Sequence, residues 1–315
     1  MEQADHKEYI IIVNPNAGKC RGGKDWNLIS TLLAGEGLHC DVRFTERKGH
    51  AIILAAEAVN KGYRKIITVG GDGTLNEVVN GVFMNTSCHT TEVSLGIIPV
   101  GTGNDWGKMF GIPNDYAGAI KIISEGKTML HDAGHIDYFE GSGKKERYFI
   151  NIAGVGFESA VVQRTNHQKE RGHSGKLIYL YNLLVTLFAY RYRKVTFTID
   201  SEKMKARIFS INIGNGRYCG GGMRQTPNAL PDDGLLDITV ISGMGKLEII
   251  RNLKILYNGK ILEHPKISGY RCKTFSIDSE TPVYTEADGE MLGHTPATFS
   301  IIPASLKMIY GKRLI

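Results

Sequence analysis

The 315-residue sequence has few cysteines, only Cys20, Cys40, Cys88, Cys219 and Cys272. Their number is odd, their spacings are wide and no C-x-x-C occurs, which argues against a disulfide framework and a cysteine-rich zinc site. No apolar run reaches the roughly 18 residues that a membrane-spanning helix needs. The longest apolar-rich stretch, 177–190, is interrupted by Asn182 and Thr186. The start, MEQADHKEY, is polar and acidic, whereas a signal peptide needs a basic start and an apolar core. The expectation is an intracellular protein. Internal repeats and low-complexity linkers are also missing. The net charge is +6, from 38 Lys and Arg against 32 Asp and Glu. This favours anionic partners such as nucleotides or an acidic membrane surface. No basic block is interleaved with stacking aromatics, so no nucleic-acid partner is expected.

Glycine is the residue in excess, with 38 of 315 positions against a usual share of about 7%. The glycines cluster, which marks backbone passing close to something or turns with positive φ. Hydrophobic and charged fractions of 42% and 22% are those of a soluble globular chain, and the length suits two domains of about 150 residues.

The first part alternates strand and helix patterns. Strands are predicted at 9–13 (YIIIV), 40–44, 65–69 (KIITV) and 94–100 (SLGIIPV), and helices at 24–35, 51–60 and 75–83. Continuous β-branched runs separated by helical spacing predict an α/β domain with a parallel sheet. After Gly126 the pattern changes. KVTFTID at 194–200 alternates apolar and polar residues, as in a half-buried antiparallel strand. Further strands are expected at 147–153, 205–213, 235–241, 274–277 and 297–302, and helices at 157–164, 176–190 and 246–258. The second region, 127–302, is therefore expected to be mostly antiparallel β, a β-sandwich or curved sheet, following a nucleotide-binding α/β domain at 1–126.

Three glycine-rich turns fall at the carboxyl ends of predicted parallel strands. They are Asn14-Pro15-Asn16-Ala17-Gly18-Lys19, Gly70-Gly71-Asp72-Gly73-Thr74-Leu75-Asn76-Glu77 and Gly101-Thr102-Gly103-Asn104-Asp105. Ligands of open α/β sheets bind outside those strand ends. Glycines there clear space for backbone N–H groups to meet phosphate, and the following helix adds its positive end. The carboxylate of Asp72 among such donors calls for a Mg²⁺ between it and the phosphates. The spacing excludes the GxxxxGK[ST] loop, because Gly18-Lys19 is followed by Cys20, and also the dinucleotide GxGxxG.

NPNAG, GGDGTLNEVVNG and IPVGTGNDW, in that order, resemble the diacylglycerol kinase catalytic-domain family, which includes soluble bacterial lipid kinases, sphingosine and ceramide kinases and is related to NAD kinases. The resemblance continues through NIAGVGF at 151–157, GRYCGGGM at 216–223, PDDGLLD at 231–237 and Asp288-Gly289-Glu290. It implies a NAD kinase-like α/β domain completed by 303–315 and a lipid site in the β-rich domain. It implies ATP binding by Asn14, Pro15, Asn16, Ala17, Gly18, Thr45, Gly70 to Glu77, Gly101, Thr102, Asn104 and Asp105. Asp72 would work with catalytic Mg²⁺ and Glu290 would be the base that accepts the lipid hydroxyl's proton. Asp233, with the carbonyls of Leu230 and Leu235, would hold a structural Mg²⁺. The implied activity is transfer of the γ-phosphoryl group of ATP to a lipid hydroxyl, of diacylglycerol or a related lipid. The implied setting is cytoplasmic, with transient contact at the membrane surface; a homodimer is left open. The alternatives are an NAD-type kinase and a nucleotide- or lipid-sensing protein without turnover.

Other features carry a plainer reading beside the functional one. Gly220 to Gly222 suit a bulge or hairpin as well as a cleft rim, and Asp288-Gly289 alone is a hairpin turn. Asp232, Asp233 and Asp237 suit a solvated turn as well as a cation site. His131 and His135 share one face of a strand without a third metal ligand in view. The stretch 176–194 is read as a core helix, or as one lining an acyl pocket or touching membrane with Arg191, Arg193 and Lys194. The segment 166–173 is expected to be a solvated loop or a flap.

Overall fold

The computed structural model describes residues 8–101, 103–170 and 176–313. In chain order the strands and helices are β1 (Tyr9–Val13), α1 (Ala17–Lys24), α2 (Trp26–Gly35), β2 (Cys40–Phe44), α3 (His50–Asn60), β3 (Lys65–Gly70), α4 (Asp72–Met84), β4 (Ser94–Pro99), α5 (Asp105–Met109), α6 (Tyr116–Glu125) and β5 (Thr128–Glu140). They continue with β6 (Gly143–Phe149), β7 (Ile152–Gly156), α7 (Phe157–Glu170), α8 (Lys176–Ala189), β8 (Arg193–Ile199), β9 (Glu202–Gly214), β10 (Tyr218–Cys219) and β11 (Met223–Arg224). The last are β12 (Leu236–Ser242), α9 (Lys246–Arg251), α10 (Ile255–Asn258), β13 (Ile267–Cys272), β14 (Thr274–Asp278), β15 (Tyr284–Ala287) and β16 (Glu290–Ile309). Two compact units result, Met1–Ala133 with Pro303–Ile315, and Gly134–Ile302.

In the first unit β2, β1, β3 and β4 pair in that order, all parallel, and Lys307 and Met308 of β16 add a parallel edge beside β4. Every residue of β1 and β4 is buried, as expected where helices cover both faces. Ile11, Val13, Ile67 and Ile98 meet Ile29 and Leu33 of α2 and Ile120 and Ile123 of α6 in one core. The segment 127–133 goes with this unit, beyond the expected end at 126. The Lys127 carbonyl accepts from Tyr310 N–H at 3.1 Å and Asp132 Oδ1 accepts from Ala304 N–H at 2.7 Å.

In the second unit the pairings among β7, β9, β8, β14, β16 and β15, and those of β12 with β9 and β13, are antiparallel. The former close on themselves through β7, β9, β8, β14, β16, β15 and back to β7. Closure depends on long strands that serve two layers. The first half of β9 pairs with β8, and its second half with β7 and β12. Its burial follows suit: residues 202–207 include exposed positions, and all of 208–214 are buried. Inside the ring lie Phe149, Phe197, Ile211, Phe275 and Phe299. A second core forms on the other face, where Phe157, Val161, Leu183 and Leu187 of α7 and α8 meet Phe209. The expected strand 147–153 is two strands interrupted at Ile150 and Asn151, and the helix expected at 246–258 is broken between Arg251 and Ile255. The expected loop at 166–173 continues α7 to Glu170; its remainder lies outside the described residues. Among the described residues, no helix is long and apolar enough to cross a membrane.

Candidate functional site

The parallel register of the first unit brings the ends of β1, β3 and β4 level: Val13 pairs with Val69, and Gly70 with Pro99. The three turns that follow touch one another. Asn14 Nδ2 donates to Thr74 Oγ1 at 3.0 Å, and Val100 N–H to the Gly70 carbonyl at 2.9 Å. Gly18, Lys19 and Cys20 all have positive φ, at 60°, 62° and 67°, and bend the chain back. A Cβ on Gly18 would lie 1.8 Å from the Val100 carbonyl oxygen, and one on Gly101 would lie 3.1 Å from Gly71 Cα. Close packing of turn on turn therefore requires glycine at Gly18 and leaves little room at Gly101.

Asp72 opens α4, and its carboxylate ties two of these turns together. Oδ2 accepts from Asp105 N–H and Oδ1 from Trp106 N–H, each at 3.0 Å. These donors belong to the first turn of α5, so the carboxylate meets orphan amides. Asp105 Oδ1 pairs with Lys108 Nζ at 2.7 Å. A Cβ on Gly103 would lie 3.2 Å from Asp72 Oδ2 and 3.7 Å from Asp105 Oδ2. Two carboxylates thus flank one glycine, an oxygen donor set that suits a hard cation such as Mg²⁺.

The remaining nucleotide candidates divide. Pro15, Asn16, Ala17 and Gly73 belong to the converging turns, and Asn16 N–H donates to Asn14 Oδ1 at 3.0 Å. Asn104 has φ 49° and holds its own loop, with Nδ2 donating to the Gly101 carbonyl at 3.0 Å. Thr45 is buried beside β1, its N–H donating to the Val13 carbonyl at 2.8 Å. The side chains of Leu75, Asn76 and Glu77 are engaged within the protein. Leu75 is core and Asn76 is fully buried with Asn80 bonded to it. Glu77 caps α3, accepting from Gly49 N–H at 2.8 Å and Ala51 N–H at 3.1 Å. Thr102 lies outside the described residues.

In the second unit Asp288 and Gly289 form the two-residue turn of the β15–β16 hairpin, with φ 49° and 80°, the geometry that Asp-Gly favours. Asp288 is more than a turn residue. Its carboxylate accepts from the N–H groups of Ile150, Asn151 and Ile152 at 2.9, 3.0 and 3.1 Å, which locks the hairpin to the break before β7. Glu290 follows directly, paired in register with Ala287.

Two family models match the chain: the diacylglycerol kinase catalytic domain over residues 8–136, and the YegS C-terminal NAD kinase beta sandwich-like domain over 151–310. The chain belongs to the diacylglycerol kinase family. It is a phosphotransferase whose acceptor is an alcohol group. A diacylglycerol kinase of Staphylococcus aureus (strain MRSA252) is 29% identical over 293 residues, covering 93% of this chain and 89% of the relative. A crystal structure from Bacillus anthracis (strain Sterne), provisionally assigned as a diacylglycerol kinase, superposes with TM-score 0.76 at 26% identity over 98% of this chain and 99% of that one. Yeast NADH kinase in complex with NADH shares the fold, with TM-score 0.55 and 12% identity over 98% of this chain and 84% of that chain.

The structural Mg²⁺ site that the family resemblance implies does not fit the residues present. Asp233 Oδ1 accepts from its neighbour Leu235 N–H at 3.1 Å, and Asp233 Oδ2 is paired with Arg271. Arg271 Nε also reaches Asp237 Oδ2 at 3.3 Å. A guanidinium already supplies the positive charge between these carboxylates, so the Leu230, Asp233 and Leu235 set is corrected to an ion-paired turn. His131 is buried under Trp106, whose Nε1 donates to its Nε2 at 3.2 Å. His135 meets Asp137 and Glu146, with ligand atoms within 4.8 Å of one another, and Lys144 neutralises Asp137 at 3.3 Å.

Two carboxyls escaped the sequence reading. A Cβ on Gly154 would lie 2.8 Å from Glu286 Oε1 and 3.0 Å from Glu158 Cβ, so both side chains pass over that glycine. Burial pushes the Glu158 carboxyl up to about 7, offset in part by a hydrogen bond from Gln225. Burial also holds Glu286 well above the usual carboxylate range, partly offset by Gly289 N–H. Only their sequence position beside NIAGVG and DGE hinted at them.

Three outcomes are expected. Gly18→Ala combines a left-handed conformation with a clash against backbone and should cost more than about 2 kcal/mol, whereas Gly71→Ala, whose Cβ would lie 3.6 Å from Gly101 Cα, should cost at most about 1 kcal/mol; urea unfolding of both variants checks this. Asp233→Asn should lower Tm equally with excess Mg²⁺ and with a chelator; a loss confined to the Mg²⁺ arm would restore the cation site. A carboxyl whose folded pKa is raised contributes stability that is present below its unfolded value and lost as pH rises through the folded one. For Glu158 that window runs from 4.5 to about 7. The Tm of Glu158→Gln should therefore gain on the parent as pH rises from 4.5 to about 7, with Glu286 common to both.

Proposed function

We propose that the chain is an ATP- and Mg²⁺-dependent lipid kinase that passes the γ-phosphoryl group to a lipid hydroxyl. The observation that carries this reading is the convergence of three glycine turns around Asp72 and Asp105. Phosphoryl transfer needs positioning and charge neutralisation more than covalent chemistry. The turns Asn14–Gly18, Gly70–Thr74 and Gly101–Asn104 offer backbone amides and helix N-termini to phosphates. Asp72 and Asp105 would hold Mg²⁺, which when bound neutralises phosphate charge. Glu290 accepts the hydroxyl proton, and Asp288 positions it by anchoring the hairpin.

A lipid acceptor is supported by an apolar cavity in the second unit. It has about 540 Å³ of empty volume counting its open mouth, and is lined by residues such as Leu183, Phe209, Met223, Ile241 and Leu256. An acyl chain is its natural occupant. On α8, Leu180, Tyr181 and Phe188 are exposed by 46%, 56% and 58%, and Leu247 of α9 and Tyr257 of α10 are exposed as well. With Arg191, Arg193 and Lys194 following α8, these residues favour transient contact with an acidic membrane surface.

The test is transfer of label from γ-labelled ATP to purified lipids in Mg²⁺, with NAD as the competing acceptor. Lipid-dependent label in a phosphomonoester product supports the reading; label only in the NAD product, or none, removes it. Glu290→Gln should leave ATP affinity unchanged and lower kcat about 10²-fold, the low end of general-base effects because a loose transition state asks little early deprotonation. Unchanged kcat would leave Glu290 a hairpin residue.

A further inference from the structure

Helix α5 carries both amides that grip Asp72, yet it has little of its own to hold it in place. It is five residues long, and among the described residues its N-cap, Asn104, makes no side-chain cap bond. A helix this short is marginal without tertiary support. Support comes from Trp106, which is bonded at two ends. Its backbone N–H donates to Asp72 Oδ1 at 3.0 Å, and its indole Nε1–H donates to His131 Nε2 at 3.2 Å. Trp106, Phe110 and His131 are all fully buried. The indole stacks on Phe110 with ring centroids 4.4 Å apart, and the His131 ring lies 5.5 Å from Phe110.

The partners of the imidazole assign its tautomer. Nδ1 meets the carbonyl oxygen of Asp132, which can only accept, so Nδ1 carries the proton. Nε2 meets an indole N–H, which can only donate, so Nε2 carries none. His131 is thus a neutral ring used as an acceptor. The ring's own strand is fastened as well: Asp132 Oδ1 accepts from Ala304 N–H at 2.7 Å, which ties this part of β5 to β16. A line of contacts therefore runs from β16 through β5, the His131 ring and the indole to Asp72. A buried indole N–H left without an acceptor costs free energy, so the line holds only while Nε2 accepts.

We propose that His131 is a positioning residue for the Mg²⁺ and phosphate end of the site: as a neutral acceptor it fixes Trp106, and Trp106 fixes the Asp72 carboxylate and its own neighbour Asp105. This rests on the reading of Asp72 and Asp105 as the residues that hold Mg²⁺. His131 acts through the indole. Asp105 precedes Trp106 in the same turn, so a swing of the indole displaces that carboxylate together with the amide bonded to Asp72. The effect falls on Mg²⁺-dependent nucleotide binding and spares the part of ATP affinity that persists in a chelator.

The experiment uses the full chain and the variants His131→Leu, His131→Gln, Trp106→Phe and the double variant of His131→Leu with Trp106→Phe. ATP affinity is measured by calorimetry with Mg²⁺ and with a chelator, and hydrogen exchange of 104–110 is followed by mass spectrometry without nucleotide. Urea unfolding shows which variants are folded. A neutral hydrogen bond is worth about tenfold at most, so His131→Leu should raise the ATP Kd in Mg²⁺ about 3- to 10-fold and leave the value in chelator unchanged. Exchange in 104–110 should speed up by a similar factor. Gln keeps an acceptor oxygen near the position of Nε2 and should restore most of both. Trp106→Phe keeps a ring on Phe110 without the indole N–H and should match His131→Leu, and the double variant should be no worse than either single change. Trp106→Phe decides alone where His131→Leu does not fold. An unchanged Kd in Mg²⁺ in the folded variants, or losses that add in the double variant, overturns the proposal. Parent ATP affinity that does not respond to Mg²⁺ overturns the cation reading of Asp72 instead, and exchange of 104–110 then supports or overturns the hold of His131 on α5.

Discussion

The carboxylate of Asp72 receives the N–H groups of Asp105 and Trp106, and the arrangement of the first unit's glycine turns depends on that pair of bonds. One oxygen serves each amide, so the turn after β3 and the helix after β4 are held at a fixed distance. Trp106 extends the constraint inward. It is fully buried, stacks on Phe110 with ring centroids 4.4 Å apart and donates to His131. The glycines then follow from geometry. With two turns fixed this closely, a side chain at Gly101 would press on Gly71 and Asn104, and Gly18 must pass under Val100 in a left-handed conformation that glycine adopts at low cost.

The second unit uses the same device. Asp288 gathers three successive N–H groups at the break before β7. Charge-assisted bonds of this kind are about twice as strong as neutral ones. They hold a hairpin turn that would otherwise be the loosest part of a two-stranded ribbon. In both units an aspartate at a glycine turn accepts backbone amides, and a second acidic residue, Asp105 or Glu290, is placed as a consequence. At both turns the anchoring falls to the aspartate whose carboxylate accepts the backbone amides.

Much of this architecture is legible in the sequence because burial on both faces leaves a plain mark. YIIIV, KIITV and the following turns mark β1, β3 and their ends, since only a strand covered on both sides is β-branched throughout. Alternation marks β8 for the opposite reason. What escapes is set by contacts between distant residues. The length of β16 is invisible because Pro303 and the polar residues around it interrupt its pattern. Helix α1 is hidden by Gly18, which belongs to the turn, and by Gly22 and Gly23, which pack against Asn14 and Pro15. Glu77 belongs to the same motif as Asp72, but its role depends on α3 lying beside α4, and Asp233 looks like a cation ligand until Arg271, 38 positions later, is brought to it. Glu158 and Glu286 are ordinary acidic residues in sequence; their unusual character comes from burial over Gly154.

The double duty of Asp72 limits what an isosteric change can separate. An amide at that position keeps one acceptor oxygen and turns an NH₂ toward the other N–H, so two donors would face each other where a bond had been. The cost of such a buried mismatch is on the order of 1–3 kcal/mol, enough to loosen the first turn of α5 and with it Asp105. Loss of charge at the proposed Mg²⁺ position and loss of the anchor between turns then occur in a single substitution. At the hairpin the three N–H groups before β7 are held by Asp288, so a substitution at the proposed base, Glu290, leaves that anchor in place.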